Sequence, residues 1–320
     1  MRSVFALARC LPPYARKRLK EFLLALTSQV HQERLVPEPV DFRGVLSDPF
    51  EALSRVDPRQ PVLVNVPLER CRTLGPVGFP PLAEAHHPYV LAMLEYLESN
   101  IQQYDESPLK LYFDHFQPQN AAELADVPGV DNDSNLHRKE AIELDFPWLA
   151  SPGLEVKSMR NKFLRDDAAQ FGKQLSGDDG LNYFGPVSSA KADLEMERVV
   201  YIIDSIKRNG YRVPAKQDHI SGYLLKKGDS YVALPWGGQH RLAALGALGF
   251  RHAPFLLYRH RVTDRASVKS WPAVTSGDFS PEQALHLFDR IFAGRQPQQV
   301  EKVWPDVLKG CHHKINDDWQ

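Results

Sequence analysis

Between residues 188 and 262 the spacing of apolar positions switches repeatedly between helical and strand periods. In "SSAKADLEMERVVYIIDSIKRNGYRVP" (188–214), Leu194, Val199, Ile202, Ile203 and Ile206 form one stripe at helical spacing. A serine can cap the start of that helix, and Asn209-Gly210 stops it. "HISGYLLKKGDSYVAL" (219–234) holds two β-type runs around Lys-Lys-Gly-Asp and predicts a hairpin. After Trp236-Gly237-Gly238 an alanine-rich helix runs over 239–248, Gly249 ends it, and "APFLLYRHRV" (253–262) reads as a closing strand.

Upstream the pattern is weaker. Residues 36–60 are punctuated by prolines and read as irregular, whereas "PVLVNVPL" (61–68) has the valine alternation of a strand. "RTLGPVGFPPLAEAHH" (72–87) is loop, and "PYVLAMLEYLESNIQQY" (88–104) predicts a helix with Pro88 in its first turn. Residues 114–180 carry few periodic runs, and "DVPGVDNDSN" within them reads as an exposed excursion. Downstream, "KSWPAVTSGDFSPEQALHLFDRIF" (269–292) is a loop followed by a helix with Ser280 as N-cap, Pro281 at its first position and Glu282 in its first turn. Trp271-Pro272 is expected to pack on the core.

Composition narrows the function classes. The chain has 320 residues, of which 43% are hydrophobic and 25% charged, enough for one large domain or two modest ones. Its net charge of −1 supplies no general basic field for nucleic acid. Three separated cysteines, Cys10, Cys71 and Cys311, offer neither a disulfide framework nor a zinc knuckle and suit a reducing compartment. No run approaches the roughly 20 apolar residues of a membrane span. The start is basic and broken by Pro12-Pro13, unlike a secretory signal, although Arg16, Lys17, Arg18 and Lys20 before "FLLAL" could form a helix lying on a membrane surface or on the protein itself. These features place the protein in the cytoplasm, with a peripheral position at the inner membrane face as the variant. Four segments follow: a lead-in over 1–60, an accessory region over 61–185, a core over 186–268, and a C-terminal loop and helix over 269–320.

The most polar break in the pattern is Gly237-Gly238-Gln239-His240-Arg241. A strand ending on two glycines lets backbone approach a ligand, and the first amides of the following helix lack internal partners and sit at its positive end. Such a corner binds anions, phosphate above all. His240 and Arg241 add charged donors in the first turn, and Ala243, Ala244, Gly246 and Ala247 would let the helix pack closely on the sheet. His clusters at 85–90, 113–118 and 311–318 lack any repeated ligand spacing, so no metal ligand is assigned beyond Mg²⁺ carried by a nucleotide.

"GGQHRLAALGALG" (237–249) resembles the phosphate-gripping turn of the ParB/sulfiredoxin-like superfamily, and "ERVVYIIDSIKRNGYRVP" (197–214) resembles that superfamily's preceding helix. The similarity covers residues 186–262. It implies an α+β fold, a small mixed sheet with packed helices, here elaborated by a large loop-rich helical N-terminal region. It also implies a nucleotide (ATP, ADP or CTP) with Mg²⁺, gripped by Gly237, Gly238, Gln239, His240 and Arg241. Arg198 and Ser205, seven residues apart on the earlier helix with Tyr201 between them, would form a second wall.

Three branches of the superfamily give different activities. Sulfiredoxins use a cysteine between the glycines and His-Arg, and here that position is Gln239, which argues against thiol chemistry. ParB proteins follow the nucleotide domain with a helix-turn-helix reader, whereas the 58 residues after 262 hold one clear helix, which argues against specific DNA binding. Free-serine kinases keep the His-Arg turn and place an acidic base near the first strand. If "PVLVNVPLERCR" is that strand, Glu69, Glu84 and His86 are the candidate acids or bases, and residues 73–185 form an insertion that builds the acceptor site. The expectation is a phosphotransferase or nucleotide hydrolase acting on a small molecule or a glycan-related acceptor. The alternative is a non-catalytic, nucleotide-gated adaptor or DNA-associated protein.

Overall fold

A computed structural model describes residues 37–129, 134–149, 153–212, 219–302 and 304. The basic N-terminal segment, the 311–318 histidine cluster and part of the 126–135 excursion lie outside them. The elements run in the order β1 (Val40–Asp41), α1 (Pro49–Ser54), β2 (Val62–Pro67), α2 (Pro88–Ser99), α3 (Pro108–His115), α4 (Ala121–Ala125), α5 (Asn135–Arg138) and α6 (Gly153–Ala169). They continue with α7 (Ser189–Asn209), β3 (Ile220–Lys227), β4 (Ser230–Gly237), α8 (Gln239–Ala247), β5 (His252–Leu257), β6 (Val262–Asp264), α9 (Pro272–Thr275) and α10 (Pro281–Phe292). The fold is α+β around a six-stranded mixed sheet of order β1-β2-β5-β3-β4, with β6 also paired to β3.

Strand pairing explains where the glycine turn sits. β2 and β5 pair antiparallel with Val64 opposite Phe255, while β3 pairs parallel with β5 through Ile220 and Ser221. β3 and β4 form the expected hairpin, closed by Gly228-Asp229 between Lys227 and Ser230. Along β4 the side chains alternate: Tyr231 and Ala233 enter the core shared with β2 and α1, whereas Val232 and Leu234 enter the core shared with α2, α7 and α10. α8 fills both, Leu242 and Leu245 facing the first and Ala243 and Ala244 the second. The strand-to-helix corner is therefore fixed from two sides.

Several elements match the sequence pattern closely. Ser188 caps α7 by accepting from Lys191 N, and Gly210 ends it. Ser280 caps α10 in a reciprocal box with Gln283, with Pro281 first and Glu282 in the first turn. Trp271 packs in the core against Trp148 and Phe288.

Others need correction. The helix expected over 88–104 stops at Ser99, where Asn100 takes a left-handed conformation. Residues 36–60 include a strand and α1, started by Asp48 accepting from Phe50 N. The 17-residue α6 arises in a stretch with no strong apolar stripe. The strand expected over 253–262 ends at Leu257 and passes through a 3₁₀ turn, Arg259–Arg261, into β6. Gly246 serves α8 packing, but against the backbone at Pro81 and against Val90 rather than against the sheet.

Two buried arginines tie loops to helices. Arg290 of α10, 2% exposed, donates to the carbonyls of Pro76, Val77, Ala125 and Arg295. Burial lowers its pKa to about 10, so it remains charged at neutral pH and spends that charge on carbonyl dipoles. Arg72 likewise donates to Ile291 O and Phe292 O, at the same C-terminal end of that helix. No helix among the described residues is long and apolar enough to cross a membrane.

Candidate functional site

The corner between β4 and α8 opens on Gly238, which is the N-cap of α8 with φ +90° and ψ 18°. That conformation is costly for any residue with a Cβ, and a Cβ built there would lie 2.9 Å from Ile220 Cγ1 and 3.0 Å from an Arg241 guanidinium nitrogen. Gly238 also supplies no side-chain acceptor to the first turn, so the opening amides of α8 are not capped by it. At Gly237 a Cβ would meet open space, so its glycine answers no steric demand within the protein. Gly237, Gly238, Gln239, His240 and Arg241 are all half-buried and lie together at the corner.

Behind the corner lies a network that the apolar pattern obscured. Glu195 of α7 is completely buried and receives four donors. Lys191 Nζ (2.5 Å) and an Arg198 guanidinium nitrogen (3.0 Å) reach Oε1, while Tyr89 O–H (2.8 Å) and His240 Nε2 (2.7 Å) reach Oε2. Burial alone would raise this carboxyl, but Lys191, His240 and Arg198 outweigh it and hold the pKa well below the usual carboxylate range. Glu195 is thus ionised, Nε2 of His240 must carry the proton it shares, and Nδ1 is left as the imidazole's second nitrogen. Tyr89 supports the same ring edge-on at 4.9 Å and 85°. Its hydroxyl pKa is raised well above 10, first by burial and then by Glu195, so it acts as a donor. With 14% of its side chain exposed, His240 is reachable yet immobilised.

The chemical capacity of the corner follows. Uncapped amides, an imidazole held by a carboxylate and the Arg241 side chain all belong to the first turn of α8. Nδ1 can accept a hydrogen bond when the ring is neutral and donate one when it is protonated.

The remaining expected site residues fall elsewhere or in other roles. Arg198 is 3% exposed and faces inward, against Glu195 and over the Phe171 ring at 5.3 Å. Ser205 is half-buried, and Tyr201 is exposed with its ring edge-on to Phe171. Glu69 and Glu84 are exposed, and His86 is half-buried in a left-handed conformation with its carbonyl accepting from Trp304 Nε1. No hydrogen bond joins these three side chains to the corner among the described residues. Lys191, Glu195 and Tyr89 escaped sequence reasoning, though one signal was present. Glu195 occupies a position on the apolar stripe, four residues before Val199, with Lys191 and Arg198 one turn to either side.

Cavity size points away from the corner. A cleft of about 920 Å³ runs along the outer side of α7 and contains none of the corner residues. Asp105, Asp114, Asp193, Glu197 and Asp204 line it against Lys110 and Arg208, so its field repels phosphate. Among the described residues no group of three His, Cys, Asp or Glu side chains could hold a metal ion. Cys71 is buried and burial pushes its thiol pKa up, which makes it inert as a nucleophile.

The chain matches no protein-family model, no curated protein and no solved structure. The functional reading accordingly rests on the corner's own residues.

Proposed function

We propose that the Gly237–Arg241 corner binds the phosphates of a nucleotide, ATP, ADP or CTP with its Mg²⁺, within a ParB/sulfiredoxin-like core. The observation that carries this reading is the uncapped N-terminus of α8 at left-handed Gly238, with His240 held in place by fully buried Glu195. The activity that suits such a corner is transfer or hydrolysis of phosphate, in which catalysis is mainly positioning and charge stabilisation. The acceptor is a small molecule or a glycan-related compound, and the protein acts in the cytoplasm, where nucleotides are held.

Calorimetric titration of the full chain with ATP, ADP and CTP in Mg²⁺ tests the proposal. Arg241→Ala should weaken binding by about 2–3 kcal/mol, the worth of a charged hydrogen-bond pair that loses a partner. Gly238→Val should abolish it, because the branched side chain meets Ile220 and cannot adopt φ +90° without strain. Unchanged affinity in folded variants of both kinds would remove the corner from consideration. Turnover assays with and without duplex DNA separate an enzyme from a nucleotide-gated DNA-associated protein. We expect duplex association to be weak, indifferent to sequence and lost by roughly 0.15 M salt.

A further inference from the structure

We propose that Trp236 is a stacking platform for the base of the bound nucleotide, so that the corner selects base-bearing ligands over bare phosphates. This inference rests on the phosphate reading above and adds a second subsite to it. Trp236 is the last side chain of β4 before Gly237 and stays 42% exposed, whereas Trp148, Trp271 and Trp304 are 7%, 3% and 3% exposed. Among the described residues its exposed aromatic neighbour is Phe163 of α6, 47% exposed, at 6.0 Å with the rings 81° apart. Tyr223 of β3 stands on it at 5.8 Å and 68°. Both neighbours meet the indole edge-on, and no ring lies flat against it among the described residues. Inside the protein flat stacking does occur, as between Phe146 and Trp148 at 4.9 Å and 10°.

The array also carries positive charge. The Arg261 guanidinium lies 5.5 Å over the Tyr223 ring and 5.0 Å over that of Tyr258. A patch of exposed aromatic surface costs solvation free energy unless something covers it. Here the patch adjoins a phosphate corner, and two residues of extended chain span no more than about 7 Å. That separation places an aromatic face beside the phosphates on the scale of one nucleotide. Base-on-aromatic stacking needs only a π-face and tolerates any base, so the proposal concerns the presence of a base rather than its identity.

The test compares ADP, CDP and inorganic pyrophosphate on the full chain by calorimetry, with tryptophan emission read alongside. In the wild type, ADP or CDP should bind roughly ten- to a hundredfold tighter than pyrophosphate and quench emission. Trp236→Ala should erase that gap and the quench while leaving pyrophosphate affinity unchanged, and Trp236→Phe should retain most of the gap. Circular dichroism of each variant checks that it folds. Equal affinities for the diphosphates and pyrophosphate in the wild type, or a gap that survives in Trp236→Ala, overturns the platform and leaves the phosphate corner standing. If neither pyrophosphate nor the diphosphates bind, the corner itself fails and the platform falls with it. A single-stranded oligonucleotide binding through Trp236 far more tightly than ADP would overturn the mononucleotide assignment.

Discussion

His87 makes a prediction that needs no ligand. It is 1% exposed and caps α2 through its side chain: Nδ1 accepts from Tyr89 N at 3.2 Å and Val90 N at 3.3 Å. Thr73 Oγ1 lies 2.7 Å from Nε2 and also 3.0 Å from the Phe79 carbonyl, so Nε2–H donates to the hydroxyl and the hydroxyl donates to the carbonyl. Every contact requires neutral imidazole with a bare Nδ1. Burial lowers the pKa to about 3, and nearby His240 pushes in the same direction. The unfolded chain, with an ordinary value near 6.5, therefore binds a proton that the folded chain refuses. Stability from this site is complete above about pH 6.5 and falls with decreasing pH at about 1.4 kcal/mol per unit until about pH 3. Between pH 7.5 and pH 5 the loss is about 2 kcal/mol, equivalent to roughly 4–8 °C in Tm for a domain near this size. Urea unfolding at both pH values measures it. His87→Asn, which keeps a capping acceptor but does not titrate, should remove about 2 kcal/mol of the pH dependence even if it lowers stability at pH 7.5. An identical pH dependence in wild type and His87→Asn would refute the argument.

Other substitutions test the scaffold of the corner. Glu195→Gln leaves Lys191 and Arg198 without their buried counter-charge and should destabilise by about 3–5 kcal/mol in urea titrations. Because the folded pKa of Glu195 lies below the ordinary value of 4.5, its stabilising contribution is present above that pH and is lost as pH falls further, below the pH 7.5 to 5 range over which His87 is measured. Arg290→Met strips donors from the carbonyls of Pro76, Val77 and Ala125 and should cost at least about 3 kcal/mol, with nucleotide affinity unchanged in the fraction that remains folded.

The elements legible in the sequence are those whose periodicity and end signals agree. α7 has a stripe, a serine cap and a glycine stop, and the β3–β4 hairpin has alternating runs around Gly228-Asp229. α10 shows its cap and first-turn proline outright. α6 was illegible because its helical length comes with charged residues on nearly every turn and only Val156, Leu164 and Ala168 buried among its described side chains. From sequence alone α2 extends too far because "NIQQY" continues an acceptable helical composition, and only the left-handed turn at Asn100 stops it. At the corner, the glycines and His-Arg were legible as polar residues placed where packing would want apolar ones. Glu195 was not, because pattern reading assigns every stripe position to the apolar core. Its partner Tyr89 lies 106 residues away, a pairing that spacing cannot express.

The position of Glu195 at first opposes the proposed function, since a carboxylate 2.7 Å from His240 should repel a phosphate approaching the same imidazole. The geometry resolves the conflict. Lys191 and Arg198 both bind Oε1, so the negative charge is matched on the side away from the corner, while Oε2 is occupied by Tyr89 and His240. What reaches the corner is the orientation of the imidazole rather than the field of the carboxylate. A histidine free to rotate would spend conformational entropy each time it met a ligand, whereas one held by a buried acceptor and an edge-on tyrosine has already been ordered by folding. The same bond anchors the first turn of α8 to α7, so the amides of that turn and the imidazole keep a fixed relation to each other. On this argument the network at Glu195 contributes to binding by rigidity. Glu195→Gln should therefore weaken nucleotide affinity less than Arg241→Ala does, even though it costs far more in folding stability.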